Sequence, residues 1–174
     1  MTELKRVVFD LDGTLIPQVS GEITQVEVPD LRSGAKELLN KLKEENFDLV
    51  LWTTSPGSWV EKVFGRHPDL EPFFSQVITA DNMGRYLDPL TVEAAKLKTD
   101  DPRRWCLETL GEYHGGGGKY PPAVGAKYLI DDVNAAASTA EIMGTFKHIF
   151  PNSKESDSSP DEWAKRVAQA LLGK

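Results

Sequence analysis

Short apolar runs alternate along this 174-residue chain with longer stretches of mixed polarity. The second of these runs, Phe47-Asp48-Leu49-Val50-Leu51-Trp52, is nearly all apolar beyond its start, which is typical of a parallel strand covered on both faces. The expected strands are residues 5–9, 47–52, 77–79, 127–130 and 146–150. Strands that alternate with helices predict an α/β fold in three layers, with a parallel sheet of about five strands and helices on both faces.

The stretches between the strands predict helices and two irregular segments. Helices are expected over residues 33–46, 55–64, 102–113, 135–143 and 161–172, the first with Ser33 as its N-cap. Residues 11–29 are expected to be irregular, and a β-flap could form around residues 22–28. Residues 81–98 are harder to assign, although 91–98 could form a helical turn or two. We therefore expect one domain over residues 1–174, with a small flap at about 16–31 and a small insertion at about 81–98.

Composition narrows the classes of function. The formal net charge of −7 argues against non-specific binding to nucleic acid or to an anionic membrane. No segment approaches the roughly 18 to 20 apolar residues of a membrane span, and no secretory signal is evident. Cys106 is the single cysteine, so an internal disulfide is impossible and a reducing, cytoplasmic location is expected.

Polar side chains follow three of the expected strands at the point where each strand ends. These residues are Asp10 and Asp12, then Thr53 and Thr54, then Asp131 and Asp132. In parallel sheets, ligands bind beyond the carboxyl ends of the strands, so the three clusters should line one crevice. Four aspartates there would repel one another without a cation, and all-oxygen ligands favour Mg²⁺. An alternative for one of Asp131 and Asp132 is to cap the following helix.

The spacing of Asp10 and Asp12 predicts two different roles. Side chains alternate along an extended strand, so the chain must turn at Leu11–Asp12 if both carboxylates are to reach the crevice, and Gly13 suits such a turn. One carboxylate can then contact metal and substrate while the other approaches from a different side. That arrangement suits a nucleophile beside a general acid/base.

The run Asp10-Leu11-Asp12-Gly13-Thr14 after an apolar strand resembles the first motif of the haloacid dehalogenase (HAD) superfamily, in its phosphatase branch. The strand followed by Thr53 is similar to the second motif of that family. Leu129-Ile130-Asp131-Asp132 is similar to the fourth, and a lysine ahead of that strand would be the third. Order and spacing fit this Rossmann-like family over residues 5 to about 150.

The resemblance implies a Mg²⁺-dependent phosphomonoester hydrolase. Asp10 would attack phosphorus and form an aspartyl-phosphate, and Asp12 would act as general acid and then as general base. Thr53 would bind a phosphoryl oxygen, with Gly13, Thr54 and Ser55 beside the substrate. Magnesium would be held by Asp10, by the carbonyl of Asp12, and by Asp131 and Asp132. The alternatives are a non-catalytic binding or regulatory protein on the same scaffold, or a phosphotransferase to an acceptor other than water.

Three lysines are candidates for the third motif. Lys98 is preferred because it precedes Thr99-Asp100-Asp101-Pro102, a signal for the start of a helix. Lys96 comes second. Lys119 comes third because it follows four glycines on a loop expected to be mobile.

The segments between the motifs are long enough for a flap but too short for a large cap domain, which implies a capless member of the family. An open crevice suits a phosphoprotein, a nucleic-acid end or a small phosphate ester, and no membrane partner is expected. Leu51-Trp52-Thr53-Thr54-Ser55 resembles the capless small C-terminal-domain protein phosphatases. Their motif-four pair is usually Asp-Asn, whereas here it is Asp131-Asp132.

Overall fold

A five-stranded sheet forms the centre of the molecule. The computed structural model describes residues 5–112, 118–152 and 159–173. All strand pairs are parallel, in the order β3-β2-β1-β4-β5. The strands are β1 Lys5–Phe9, β2 Phe47–Trp52, β3 Phe74–Ile78, β4 Tyr128–Ile130 and β5 Lys147–Ile149. The helices are α1 Ala35–Glu44, α2 Gly57–Arg66, α3 Gly84–Ala95, α4 Pro102–Glu112, α5 Asn134–Met143 and α6 Glu162–Leu172.

Helices cover both faces of this sheet, so the predicted three-layer α/β fold is confirmed. Val7 and Phe9 face one core, which α1, α2 and α6 complete. Val8 faces a second core, built with α3, α4 and α5. Because successive strand side chains point to opposite faces, a strand buried on both sides must be apolar at every position. The apolar run in β2 follows from the same geometry.

At β1 the order in which the chain adds strands to the sheet changes direction. The chain runs from β1 outward to β2 and β3, then crosses to the other side of β1 for β4 and β5. Phe9 is in register with Leu51 of β2 and with Ile130 of β4. The next residues of these strands therefore emerge at one edge, which in open α/β sheets is the usual binding site.

The segment expected to be a small insertion at about 81–98 is instead mostly the helix α3. Met83, Leu87, Leu90 and Ala94 repeat at helical spacing and pack against the second core. Pro89 lies inside this helix and interrupts the pattern in the sequence, although the packed apolar face holds the helix together. The helical turn expected within residues 91–98 is the end of this helix, and its first part, residues 84–90, was not predicted for this reason.

Two further local predictions also differ from the structure. Ser33 is not an N-cap: α1 begins after Gly34, which has φ +81°, and no side chain caps this end. The carbonyl of Ser33 instead accepts a hydrogen bond from Trp163 Nε1 at 2.8 Å. Residues 17–31 contain no strand, so the suggested β-flap is a loop with one turn near residues 23–25. Its apolar side chains pack on the first core.

The described helices are 10 to 12 residues long. None of them is long and apolar enough to cross a membrane. Cys106 is a free thiol buried in α4, as expected of a structural cysteine.

Gly34 provides a test of how tightly α1 packs against α6. A Cβ at this position would lie 2.9 Å from Ala164 Cβ, whereas a Cβ at Gly144 would meet nothing within 4 Å. Both glycines have positive φ, so both alanine variants carry the same backbone penalty. We expect Gly34→Ala to lower the free energy of unfolding by about 1–3 kcal/mol more than Gly144→Ala, as measured by urea denaturation. Equal losses would show that the α1–α6 contact is loose.

Candidate active site

A pocket of about 270 Å³ opens at the carboxyl ends of the strands, next to β1, where the strand order changes direction. Its floor and one wall are polar, and a loop from the segment after β1 closes the other side. The lining residues are Asp10, Asp12, Thr53, Thr54, Ser55, Lys119, Asp132 and Val133, with Gln18, Val19, Gly21 and Ile23 from the loop. The three strand-end clusters predicted from the sequence therefore share one crevice.

A buried lysine connects two of the aspartates. Lys119 Nζ lies 2.6 Å from Asp10 Oδ1 and 2.6 Å from Asp131 Oδ2. Lys119 is only 4% exposed, and Asp131 is fully buried. A buried ion pair is stable only when the geometry satisfies both charges, and here one ammonium group serves two carboxylates. The ends of β1 and β4 are therefore joined electrostatically as well as by the sheet.

The lysine beside Asp10 is Lys119, which corrects the preference for Lys98. Lys98 is exposed in the turn after α3, where its carbonyl accepts a hydrogen bond from the Asp101 N–H. Lys96 is also exposed and pairs with Glu93. Lys119 immediately precedes Tyr120 and the 3-10 turn Pro121–Val124, whose prolines have a fixed φ.

This turn is closed by the Ala126 N–H, which donates to the Pro121 carbonyl at 3.0 Å, and Val124 packs into the second core. The rigid turn before β4 thus fixes the lysine, whereas the sequence suggested a mobile loop. Residues 113–117, which include most of the glycine run, lie outside the described residues.

Asp10, Asp131 and Asp132 form a cluster of acids. One carboxylate oxygen from each lies within 4.8 Å of the others. Asp131 Oδ1 accepts a hydrogen bond from the Val133 N–H at 2.7 Å, so this aspartate also organises the start of α5. The carbonyl of Asp131 lies 2.7 Å from His148 Nε2. Asp131 thus shapes the turn that leads into α5, but the N-cap of α5 is Val133 and no side chain caps this end, so the capping alternative is wrong.

The titration behaviour of this cluster reflects its burial. Burial raises the pKa of Asp10 to about 7, with Lys119 opposing the shift and Asp131 adding to it. The pKa of Asp132 is also raised, first by burial and then by the charge of Asp131. The pKa of Lys119 is raised by its two carboxylate partners, against the effect of burial. Loss of hydration on burial is thus the main reason that the pKa values of Asp10 and Asp132 are raised.

Asp12 points away from this cluster. Its Oδ2 accepts a hydrogen bond from Ser55 Oγ at 2.7 Å, and its Oδ1 accepts one from Trp59 Nε1 at 2.9 Å. The separation follows from the turn predicted at Leu11–Asp12: the Leu11 carbonyl accepts from the Leu15 N–H at 2.8 Å. The carboxylate of Asp12 is thus available for a role different from that of Asp10.

Gly13 makes this turn possible but lies outside the pocket lining. Its φ is +79°, and a Cβ there would lie 2.2 Å from Asp132 Oδ2. Arg32 Nη1 donates to the Gly13 carbonyl at 2.8 Å, and the same guanidinium lies 4.5 Å from the centre of the Trp163 ring. Arg32 therefore links this turn to α6 through Trp163. We assign Gly13 a structural role next to Asp132.

Thr53 is buried at the end of β2, and its hydroxyl group can donate a hydrogen bond into the pocket. Its Oγ1 accepts a hydrogen bond from the Ser55 N–H at 3.0 Å, and its own N–H donates to Ile78. A threonine hydroxyl that accepts still has its proton to donate. Thr54 also lines the pocket but is partly exposed. The Thr53 hydroxyl is therefore well placed to donate to a ligand.

The loop over the pocket is fastened to α2. Lys62 Nζ donates to the Val26 carbonyl at 2.6 Å, and His67 Nε2 lies 2.9 Å from the Pro29 carbonyl. The side of the loop that lines the pocket carries Val19 and Ile23. These contacts hold the loop that brings Val19 and Ile23 to the pocket.

A larger cavity, of about 580 Å³, lies between α1 and α6. It is lined by side chains such as Glu37, Lys41 and Lys165, and none of the strand-end residues reaches it. We place the site in the smaller pocket because the convergent polar groups are there.

Sequence reasoning missed Arg32, ranked Lys119 too low, and left open whether Trp59 borders the crevice or only packs in the core. Both Trp59 and Arg32 contact the turn after β1. The position of Trp59 just beyond β2 indicated that it could lie near the crevice, whereas nothing in the local sequence of Arg32 signals its partner. For Lys119, the pair Pro121-Pro122 was the usable signal, because it fixes the chain between the lysine and β4.

Lys119→Met should destabilise the protein strongly at neutral pH. The variant leaves Asp10 and Asp131 buried without their cation, which typically costs about 3–5 kcal/mol. Lys98→Met removes an exposed lysine and should change the free energy of unfolding by less than about 0.5 kcal/mol. Urea denaturation at pH 7.5 with a chelator measures both variants. Similar stabilities for the two would contradict the placement of Lys119 as the buried counter-charge.

Asp10 should make the protein less stable as the pH rises. Its pKa is raised from 3.8 to about 7, so between these values the folded state holds more protons than the unfolded state. The free energy of unfolding should therefore fall as pH increases through this interval. Asp10→Asn should flatten the slope. Asp69→Asn is the control, because Asp69 is exposed and its pKa is lowered, so it acts only at more acidic pH. An unchanged slope in Asp10→Asn, measured with a chelator, would refute the assignment.

Solved structures show the same fold. A HAD-superfamily hydrolase from Ehrlichia chaffeensis aligns over 99% of both chains, with a TM-score of 0.55 and 13% identity. A putative beta-phosphoglucomutase from Thermotoga maritima covers 95% of this chain and 99% of its own, with a TM-score of 0.53 and 15% identity. The putative HAD-hydrolase YfnB from Bacillus subtilis, solved with magnesium, has a TM-score of 0.52, 11% identity and coverage of 98% and 99%. At these identities the likeness concerns the fold.

Sequence comparison identifies the family. No curated protein sequence matches the chain. Residues 5–99, more than half of the chain, match the model of the NLI interacting factor-like phosphatases. This range contains Asp10, Asp12 and Thr53, while Lys119 and the aspartate pair come from the part beyond it. The chain therefore belongs to the NLI interacting factor-like phosphatase family and is a phosphatase of the HAD type.

Proposed function

We propose that this protein is a Mg²⁺-dependent phosphomonoester hydrolase that works through an aspartyl-phosphate on Asp10. The observation that carries the proposal is the meeting of Asp10, Asp131, Asp132 and Lys119 at the strand ends. An acid cluster beside a buried lysine is suited to a dianionic phosphoryl group and a divalent ion together. Membership of a phosphatase family supports the same reaction.

The acid cluster fits magnesium by its chemistry. Its three carboxylates offer oxygen atoms within 4.8 Å of one another, and Mg²⁺ prefers oxygen ligands. Three carboxylates meet here beside one lysine, so a cation would offset the repulsion among their charged forms. When bound, the ion would supply charge stabilisation for the phosphoryl group. The carbonyl of Asp12 is a further candidate ligand from the family resemblance, while its carboxylate faces Ser55 and Trp59.

Asp10 is the proposed nucleophile. Lys119 holds its Oδ1, which restrains the side chain and leaves the other oxygen as the candidate for attack on phosphorus. The new oxygen–phosphorus bond forms as the bond to the leaving group breaks, and an acyl phosphate results. Lys119 would offset the charge of both the carboxylate and the phosphoryl group.

Asp12 and Thr53 complete the proposed machinery. Asp12 would give a proton to the leaving oxygen and later take one from the water that hydrolyses the aspartyl-phosphate. Its separation from the acid cluster by the Gly13 turn supports this division of roles. The Thr53 hydroxyl would donate to a phosphoryl oxygen, because its acceptor side is already used by the Ser55 N–H. Thr54 and Ser55 lie on the same wall.

The size of the pocket limits how much of a substrate it encloses. A volume of about 270 Å³ is below the usual range of roughly 300–1,000 Å³ for small-molecule pockets. We infer that it takes the phosphoryl group and nearby atoms, while the rest of the substrate stays outside. A phosphorylated side chain, a nucleic-acid end and a small ester all meet this condition. Because α3 packs on the sheet, the segment over the pocket within the described residues is the loop after β1, which supports a capless phosphatase.

Replacing the nucleophile should abolish turnover. We expect Asp10→Asn to reduce phosphate release from p-nitrophenyl phosphate by at least about 1,000-fold, and a chelator to have a comparable effect on the wild type. Asp69→Asn, an exposed change, should keep wild-type activity. The assay measures inorganic phosphate, because transfer of the phosphoryl group to an acceptor other than water would consume the ester without releasing inorganic phosphate.

Three results would contradict the proposal. They are activity in Asp10→Asn, full activity of the wild type with chelator, and no activity of the wild type on any phosphate ester of a broad panel. The last result would favour a binding protein on this scaffold.

A further inference from the structure

We propose that Trp59 is a positioning residue that directs the catalytic proton of Asp12 to its pocket-facing oxygen. This inference rests on the proposed function and concerns how its general acid is held. It assigns a role to an indole that lies outside the pocket lining.

The two oxygens of Asp12 have different surroundings. Oδ1 accepts a hydrogen bond from Trp59 Nε1, and Trp59 is fully buried in the first core at the start of α2. Oδ2 accepts one from Ser55 Oγ, and Ser55 is a partly exposed residue of the pocket wall. Asp12 itself is 9% exposed, so little of its carboxylate reaches water. One oxygen thus faces the core and the other faces the pocket.

The chemistry of the indole distinguishes these oxygens. An indole N–H donates but has no lone pair with which to accept. While this contact lasts, Oδ1 must act as an acceptor and cannot carry the carboxyl proton toward Trp59. The proton of neutral Asp12 is therefore placed on Oδ2.

Ser55 fits both protonation states of Oδ2. A hydroxyl both donates and accepts, and its hydrogen rotates to suit the partner. It donates to the carboxylate in the structure, and it can accept from, or turn away from, the protonated oxygen. Trp59 thus provides a permanent contact and Ser55 an adjustable one, so the side chain stays in place as the proton leaves and returns.

The proton transfers balance over the proposed cycle. The bond between phosphorus and the leaving oxygen breaks as Asp10 attacks, and the proton on Oδ2 moves to that oxygen. The water that attacks the aspartyl-phosphate then returns a proton to Oδ2, and the bond between phosphorus and Asp10 breaks. Trp59 gives up no proton at any step, which is why it is a positioning and not a catalytic residue.

A purely structural role for Trp59 predicts a different result. Its ring is part of the first core, and Lys62 Nζ lies 5.9 Å from the centre of that ring. A structural residue would lower stability, or lower the rate equally for every ester. A residue that positions a general acid affects esters with poor leaving groups more, because only those require the proton.

Trp52→Phe is a matched control. Trp52 is also fully buried, but it packs in the second core beside Tyr86, with ring centroids 5.8 Å apart. Its Nε1 has no hydrogen-bond partner within the described residues. The same substitution there removes an indole N–H that does not contact the site.

The experiment compares kcat/KM for p-nitrophenyl phosphate, a good leaving group, and benzyl phosphate, a poor one, in the magnesium-loaded protein. We expect Trp59→Phe to lower the value for benzyl phosphate by about 10- to 100-fold and that for p-nitrophenyl phosphate by less than about threefold. Trp52→Phe should change both by the same small factor. A loss in Trp59→Phe that is equal for the two esters, or absent for both, would overturn the proposal.

A double-mutant cycle separates this inference from misfolding and from failure of the proposed function. In an Asp12→Asn background, Trp59→Phe should cost less than about twofold on either ester, because Trp59 acts through the Asp12 proton. A full additional loss there would overturn the inference while leaving the phosphatase intact. Absence of turnover in the wild type would instead refute the proposed function, and this inference with it.

Discussion

The contact of Lys119 with Asp10 and Asp131 is the interaction on which the rest of the site depends. Two carboxylates buried at neighbouring strand ends would repel each other strongly in a medium of low dielectric constant. One ammonium group, 2.6 Å from an oxygen of each, makes their burial tolerable and restrains both side chains. The 3-10 turn before β4 holds the lysine, so the sheet, the turn and the charge balance form one unit. Burial is the main cause of the raised pKa of Asp10, and the charge of Lys119 opposes it only in part.

Much of the fold and the positions of the acids were predictable from the sequence, for two physical reasons. A strand covered on both faces must be apolar throughout, so β2 is recognisable without any knowledge of its neighbours. The carboxyl ends of parallel strands share one edge, so Asp10, Thr53 and Asp131 had to meet once the strands were assigned. The turn at Leu11–Asp12 followed from the alternation of side chains along a strand, and the structure confirms it.

The remaining features depend on contacts between segments far apart in the chain. Lys98 and Lys119 both precede β4, and only the packing of the 3-10 turn decides which of them reaches Asp10. Trp59 reaches Asp12 because α2 packs in the same core as β1; its position just after β2 indicated the crevice but not this partner. Pro89 concealed α3 because helix propensity is a weak guide where tertiary packing decides. In each of these cases, packing between segments that are distant in the sequence determines the observed structure.

The most direct test of the central claim is to identify the atom that receives the phosphoryl group. The protein would be mixed with magnesium and p-nitrophenyl phosphate, quenched in acid within one turnover, digested, and examined by mass spectrometry. We predict one added phosphoryl group on the peptide that contains Asp10, with none in Asp10→Asn. Phosphate release by the wild type without this modification, or modification of a different residue, would contradict the proposal that Asp10 is the nucleophile.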